Sequence, residues 1–263
     1  MSQEETKTAP QQEWPDPIFT IALIVANIAI WGLMLTKGVS FWTTNELQAL
    51  QWGADFGPLT LSSQFHQFWR LFTSNFIHLG FVHLAINMVF LWALGRLAEY
   101  FFTSADFLLL YTFTGLCSGL LGVIWEPNAT SAGASGAIFG ISGVLLVTLL
   151  SNKLPLEKES REKLLTGVMQ FTVLNLFVGG AQAYLPGILH RRVDNAGHIG
   201  GLLAGLLVGA VFASHLGDTE ADRKYRRWAW IALYAGFVLL LVAAFYYFNG
   251  VSVQVQRGLP GKH

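Results

Sequence analysis

Charged residues are scarce in this chain of 263 residues, of which aspartate, glutamate, lysine and arginine together make up 12%. An ordinary soluble domain contains about twice that share. Acidic and basic residues balance at 16 each, so the charge gives no sign of a nucleic-acid partner. The single cysteine, Cys117, excludes an internal disulfide. No internal repeat, low-complexity tract or Gly/Ser linker divides the sequence, and one domain is expected.

Hydrophobic residues dominate instead, at 53% of the chain. A membrane span takes about 20 apolar residues, and seven segments meet this need: roughly 18–36, 81–102, 105–125, 135–151, 164–184, 198–215 and 228–248. They predict an all-α fold, a polytopic transmembrane helical bundle. The N-terminal residues are acidic, which argues against a cleaved signal peptide, so the first segment is expected to be retained.

Lysine and arginine set the expected orientation. If the N-terminus is cytoplasmic, ten of them fall on the inside and six on the outside, in agreement with the positive-inside rule. We therefore predict a cytoplasmic N-terminus and, without an organelle-targeting signal, a bacterial cytoplasmic (inner) membrane. The long connection at about 37–80 carries nine large aromatic residues, which predicts a segment in the membrane interface rather than a plain outer loop.

Strongly polar side chains inside spans are costly in lipid and mark functional sites, and the second and sixth predicted spans stand out in this respect. The second span contains His83 and Asn87, four residues apart and therefore on one helix face. The fourth span begins at Ser135 and the sixth at His198. These three spans are even-numbered, so they begin on the same side of the membrane. We expect the four side chains at similar depth.

Glycines give two of these spans a face without side chains. The sixth span has glycine at every fourth position, namely Gly197, Gly201, Gly205 and Gly209. The fourth span repeats the spacing at Gly136 and Gly140. Such faces allow close helix packing, and pairing them would bring the Ser135 hydroxyl within reach of the His198 imidazole. Residues 135–150 make a helix of about 24 Å against a core of about 30 Å, so the serine is expected in a recessed, wet cavity.

A serine in a glycine-rich span has two interpretations. Small residues commonly serve packing, whereas a serine beside a base can act as a nucleophile. The chain offers His198 as the base, His83 and Asn87 as donors to an oxyanion, and the free N–H groups at the start of the fourth helix. Because these groups gather on one side of the membrane, we favour the nucleophile.

Other chemistries lack the residues that they need. The sequence has no H-E-x-x-H zinc signature, and no metal or organic cofactor is expected. Asp106 at a helix end and Asp218 in a basic loop are not placed for a paired-aspartate mechanism. Asp194, four residues before His198, is expected to be a cap or loop residue, with orientation of the imidazole as the alternative. Ser118 and Ser142 are expected to hydrogen-bond within their own helices.

Four motifs in order make the sequence resemble the rhomboid family of intramembrane serine proteases. They are Trp69-Arg70 in the first loop, His83 to Asn87 in the second span, Gly133 to Gly136 opening the fourth, and His198 to Gly201 opening the sixth. The resemblance covers about residues 18–215 and implies a six-helix rhomboid-like core. The segment 228–248 then adds a C-terminal seventh helix.

The resemblance also implies roles for individual residues. Ser135 matches the nucleophile, His198 the general base, and His83 with Asn87 the oxyanion-stabilising pair. Supporting positions are His78 near the cavity mouth, Gly133 and Gly136 beside the serine, and Phe139, where the family often has a tyrosine that stacks on the catalytic histidine. The implied partners are single-pass transmembrane protein substrates, cut near the outer membrane face, and the lipid bilayer.

The expected organisation has three parts: a cytoplasmic tail at 1–17, the catalytic membrane domain at 18–215, and a basic loop, seventh helix and tail at 216–263. The stretch 184–195 is a candidate gate over the cavity. Two other functions stay open: a catalytically silent scaffold that binds membrane proteins, and a channel or transporter. The sequence leaves the oligomeric state and the physiological substrate open.

Overall fold

The computed structural model describes residues 16–151, 154, 156–184 and 194–258. These residues form ten α-helices, numbered in chain order: α1 Ile18–Thr36, α2 Glu46–Trp52, α3 Gly57–Thr60, α4 Arg70–Thr73, α5 Phe81–Phe101, α6 Ser104–Trp125, α7 Ser135–Leu150, α8 Lys158–Tyr184, α9 Asn195–Phe212 and α10 Glu220–Gly258. One isolated bridge joins Asp55 and Ser131. The predicted all-α fold is confirmed.

Each of the seven long helices overlaps one of the seven predicted segments. Five of them, α1, α5, α6, α9 and α10, are long and apolar enough to cross a membrane, and α7 is a shorter apolar helix of 16 residues. This is the composition of a helical bundle that spans a membrane several times.

Two helices extend beyond their predicted segments into polar sequence. Helix α8 begins at Lys158 rather than 164, and its first turns carry an ion pair between Lys163 and Glu159. Helix α10 begins at Glu220 because the Thr219 hydroxyl accepts a hydrogen bond from the Asp222 N–H and thus caps the first turn. The basic residues predicted to lie in a loop before the seventh span therefore belong to the helix itself.

Helix α7 lies at the centre of the bundle and packs along α9 through the glycine faces. A methyl group at Gly201 would lie 2.0 Å from the carbonyl oxygen of Gly136, and one at Gly205 would lie 2.0 Å from that of Gly140. Only glycine allows two backbones to approach this closely. The predicted pairing of the two faces is confirmed.

The connection between α1 and α5 is ordered around the buried Arg70. Its guanidinium donates hydrogen bonds to the carbonyl oxygens of Leu50 and Ala54 at 2.8 and 2.7 Å, and its Nε donates to Gln67 Oε1 at 2.6 Å. The Trp69-Arg70 motif thus holds α2 and α4 together. Large aromatic side chains of this connection are exposed, among them Trp42 at 67% and Trp69 at 51%. The interfacial position remains a prediction.

Candidate active site

Ser135 is placed by a short segment that leads from α6 into α7. The backbone of Ser131 exchanges two hydrogen bonds with Asp55, and the N–H of Gly133 donates to the carbonyl oxygen of Ser74 at 2.9 Å. Gly133 has a φ of +127°, which disfavours any residue with a side chain. A methyl group there would also lie 2.7 Å from the His83 ring. After this turn, α7 begins directly at Ser135.

The hydroxyl of Ser135 contacts the imidazole of His198. Ser135 Oγ lies 2.8 Å from His198 Nε2, and the His198 side chain is buried at the start of α9, with 9% exposed. The ring of Phe139, one turn into α7, stacks on the imidazole with centroids 4.4 Å apart and an angle of 25°. Nδ1 of His198 has no hydrogen-bond partner among the residues described, so within them the hydroxyl and the imidazole form a pair without a third member.

His83 lies against Gly133, two residues before Ser135. Its Nδ1 accepts a hydrogen bond from the N–H of Leu79 at 3.3 Å, so in the neutral ring Nε2 carries the proton. A methyl group at Gly133 would lie 2.9 Å from that Nε2 and 3.8 Å from Ser135 Oγ. The ring nitrogen and the hydroxyl therefore flank one small space, which only a glycine leaves open.

Asn87 and His78 lie next to His83 and not against the serine. The Asn87 amide donates to the carbonyl oxygen of His83 one turn earlier, at 2.8 Å, and in the part of the chain described no hydrogen bond joins it to Ser135 or His198. The ring of His78 is fully buried, 5.2 Å from the His83 ring between centroids. Burial, and then the neighbouring His83, lower the pKa of His78 to about 3, so this ring is neutral at physiological pH.

A network of side-chain hydrogen bonds links the serine segment to α9. The sequence did not predict this network. Asp194 caps α9 by accepting from the N–H of Gly197 at 2.7 Å, and its other oxygen accepts from the Ser131 hydroxyl at 2.5 Å. The cap interpretation of Asp194 is thus confirmed, and no described hydrogen bond joins its carboxylate to the imidazole. Because Ser131 also pairs with Asp55, one carboxylate connects the first loop, the serine segment and the histidine helix.

Two further serines border the site. The Ser142 hydroxyl donates to the carbonyl oxygen of Phe139 at 2.7 Å, as expected. Ser118 on α6 differs from the expectation, since its hydroxyl points to the junction of α7 and α9. It lies 1.9 Å from the position of a methyl group at Gly136 and 3.0 Å from that of one at Gly197. Side chains at either glycine would collide with it.

Most of the candidate gate at 184–195 lies outside the described residues. Among the residues that are described, no cluster of three or more His, Cys, Asp or Glu side chains could hold a metal ion. The structure brings Ser135, His198, Phe139, Gly133 and His83 together, as the sequence predicts.

The carboxyl group of Asp55 should make stability depend on pH. Its side chain is fully buried, Oδ1 accepts from Thr60 Oγ1 and from the N–H of Phe56, and Oδ2 has no partner among the described residues. Burial raises the pKa of Asp55 to about 7. Between its unfolded pKa of 3.8 and 7 the folded chain holds a proton that the unfolded chain releases, so the free energy of unfolding falls as pH rises through this window, by an amount on the order of a few kcal/mol.

Asp55→Asn should remove this slope, because an amide is neutral at every pH and its oxygen can still accept from Thr60. We expect a higher melting temperature than the wild type at pH 8 and little difference at pH 4. Asp218→Asn, at an exposed carboxylate, is the matched control and should keep the wild-type pH profile. A wild-type melting temperature that is equal at pH 5 and pH 8 would contradict the assignment.

Comparison with known proteins gives one family match and several similar proteins with related names. A family model described as the Rhomboid domain matches residues 65–215, a range that contains all four motifs. The chain is 32% identical to rhomboid protease GluP of Bacillus subtilis over 222 aligned residues. The alignment covers 84% of this chain and 40% of that protein. It is 37% identical over 145 residues to RHOMBOID-like protein 5 of Arabidopsis thaliana, covering 54% of this chain and 43% of that protein.

A further relative is aligned over most of both chains. Rhomboid-like protease 3 of Toxoplasma gondii is 27% identical over 215 residues, covering 79% of this chain and 77% of that protein. The chain spans less than half the length of the GluP and RHOMBOID-like protein 5 relatives. Together with the apolar helices, these matches make the chain an integral membrane protein with several spans.

Proposed function

Because this chain belongs to the rhomboid family, we propose that it is an intramembrane serine endopeptidase with Ser135 as the nucleophile and His198 as the general base. The observation that carries the proposal is the distance of 2.8 Å between Ser135 Oγ and His198 Nε2, inside a bundle that spans a membrane. A serine kept only for packing would not need an imidazole aimed at its oxygen. We assign the catalytic domain to residues 18–215.

In the first step, Nε2 of His198 takes the proton of the Ser135 hydroxyl as Oγ attacks the carbonyl carbon of the substrate. The carbonyl electrons move onto oxygen and give a tetrahedral oxyanion. Collapse of this intermediate breaks the C–N bond, and the imidazolium returns its proton to the leaving amine. Water, activated by the same imidazole, then hydrolyses the acyl-enzyme and restores the Ser135 hydroxyl.

We propose two principal donors for the oxyanion. The backbone N–H of Ser135 is in the first turn of α7, where N–H groups have no partner within the helix and the helix dipole favours negative charge. The second donor is Nε2–H of His83, which borders the same space beside Gly133. Asn87 is the third donor we propose, through its side-chain amide, which also donates to the His83 carbonyl oxygen at 2.8 Å.

Phe139 keeps the imidazole in place. Its ring stacks on His198 at 4.4 Å between centroids, which restricts rotation of the imidazole and leaves Nε2 directed at the serine. Phenylalanine has no hydroxyl, so the ring contributes through contact only. Gly136 and Gly201 contribute because they have no side chains. Their backbones can therefore approach closely, and this contact sets the separation between α7 and α9.

The substrates that fit this site are single-pass membrane proteins, cut near the outer membrane face. A span must be locally unwound before its carbonyl groups can be attacked, because in a helix they accept i→i−4 hydrogen bonds. We propose a cytoplasmic N-terminus on the distribution of Lys and Arg. A bacterial cytoplasmic membrane is proposed as the location, which fits the high coverage of this chain by the B. subtilis relative.

Labelling with a fluorophosphonate tests this function directly. The purified protein should form one covalent adduct per chain, because an activated serine attacks the phosphorus of the probe and displaces fluoride. Peptide mass spectrometry should place the adduct on Ser135 and leave Ser142 unmodified. A chain that binds membrane-protein substrates but takes up no probe would instead support the catalytically silent scaffold.

A further inference from the structure

The start of α10 places positive charge beside an apolar groove that the proteolytic function does not use. The groove lies between α10 and the first turns of α6 and has a volume of about 490 Å³. Arg223, Arg226 and Arg227 line one end together with Asp106, and Leu109 and Ile231 are among the residues that line the rest.

Two of these charges are satisfied inside the protein. Arg226 Nε lies 2.9 Å from Asp106 Oδ2, and the two side chains are only 6% and 10% exposed. Asp106 also accepts from Trp230 Nε1 at 2.8 Å and from the Thr103 hydroxyl at 2.7 Å. This pair joins α6 to α10 and adds no net charge to the groove.

The other two arginines leave an excess of positive charge. Arg223 and Arg227 are four residues apart and line the same groove, and like charges at this spacing repel each other. Arg223 has an exposed ion pair with Asp218 at 3.1 Å, which is of the kind that contributes little. Arg227 makes no hydrogen bond or ion pair to any residue that the structure describes. A bound anion would remove the repulsion.

We propose that this groove binds an anionic phospholipid. The phosphate lies between the guanidinium groups of Arg223 and Arg227, and an acyl chain follows Leu109 and Ile231. Guanidinium groups bind phosphate through paired hydrogen bonds, and basic pockets between membrane helices are known to bind anionic lipid head groups. Ile231 is 52% exposed in a helix long and apolar enough to span the membrane, so the groove is open to lipid from the side.

Two features favour a lipid over a soluble anion. The groove continues from the arginines onto apolar side chains. A phosphate ion alone would not cover these side chains, whereas an acyl chain would. Tyr234 also lines it, and tyrosine is a residue type that marks the depth at which lipid head groups meet the acyl chains. A zwitterionic lipid would bring a cationic group towards the arginines, so the negative head group is preferred.

Native mass spectrometry of the full chain tests the proposal. With phosphatidylglycerol and phosphatidylcholine added in equal amounts, we expect phosphatidylglycerol to be retained about tenfold more. The Arg223→Gln/Arg227→Gln double variant should lose this preference. Lys158→Gln/Lys163→Gln, which removes the same charge from exposed positions of α8, should keep it.

Three results would overturn the proposal: equal retention of the two lipids, unchanged retention in the double variant, or displacement of the lipid by millimolar inorganic phosphate, which would mean that only the head group is bound. Fluorophosphonate labelling and the melting temperature report whether the double variant is folded. If the double variant is not folded, the single variant Arg227→Gln tests the proposal instead. The Arg227 side chain makes no hydrogen bond or ion pair to a described residue, so this substitution removes no such contact.

Discussion

Replacing Ser135 with alanine is expected to abolish cleavage of a single-pass substrate reconstituted in the same vesicles, with a loss of about 10⁴-fold or more. The reason is chemical, because alanine has no oxygen to attack the carbonyl carbon or to carry the acyl group. His198 and the oxyanion donors remain, yet without the nucleophile they have only water to activate. The initial rate of product formation, measured by gel or mass spectrometry, checks this.

The fold should tolerate the change. Ser135 begins α7 between Ala134 and Gly136, and no helix-capping hydrogen bond depends on its side chain, so the melting temperature should stay within about 2 °C of the wild type. Ser142→Ala is the matched control: Ser142 lies two turns after Ser135 on the same helix, and among the described residues its hydroxyl donates only to the Phe139 carbonyl oxygen, one turn earlier. Its rate should stay within about threefold. Cleavage by Ser135→Ala at more than a tenth of the wild-type rate would place the nucleophile elsewhere.

The sequence predicted the spans well because lipid imposes a simple rule on composition. Segments of apolar residues had to be helices, and the predicted 18–36 and 81–102 became Ile18–Thr36 and Phe81–Phe101. Hydropathy does not say where a helix stops once it has left the lipid. Helix α10 therefore begins eight residues earlier than its apolar segment, at the cap made by Thr219.

The central contact of the site was predictable because periodic glycines can be read from the sequence. The spacing of Gly201 and Gly205 on one helix and Gly136 and Gly140 on the other indicated which faces meet, and the hydroxyl and imidazole then had to lie close. The observed 2.8 Å agrees with that prediction.

The network around Asp194 could not be predicted in the same way. Asp194 and Ser131 are 63 residues apart in the chain, and both lie in irregular segments without a period that would orient their side chains. Ser118 shows the same limit. A serine in a helix commonly donates a hydrogen bond to a carbonyl oxygen of the preceding turn. Here the packing of α6 against α7 and α9 directs the Ser118 hydroxyl towards the junction of those two helices. Local rules find helices and faces, whereas contacts between loops depend on the assembled bundle.

Gly201→Ala should be among the most damaging single-methyl changes in the chain. The added carbon would lie 2.0 Å from the carbonyl oxygen of Gly136 and 2.9 Å from its carbonyl carbon, and a backbone cannot rotate away as a long side chain can. Helices α7 and α9 must therefore separate. Overpacking of this kind costs about 3 kcal/mol or more when backbones must move, which exceeds the gain of about 1 kcal/mol in helix propensity from glycine to alanine.

Separation of the two helices also acts on catalysis, because Ser135 is on α7 and His198 on α9. A shift of about 1 Å in such a pair can cost about 100-fold in rate. We expect Gly201→Ala to lower both the melting temperature and the rate of cleavage. Gly236→Ala on α10, where an added methyl group meets no atom within 4 Å, is the matched control: it should leave the rate unchanged and, with the gain in helix propensity, should not lower the melting temperature. If the two variants behaved alike, the close contact between α7 and α9 would not be what brings the hydroxyl to the imidazole.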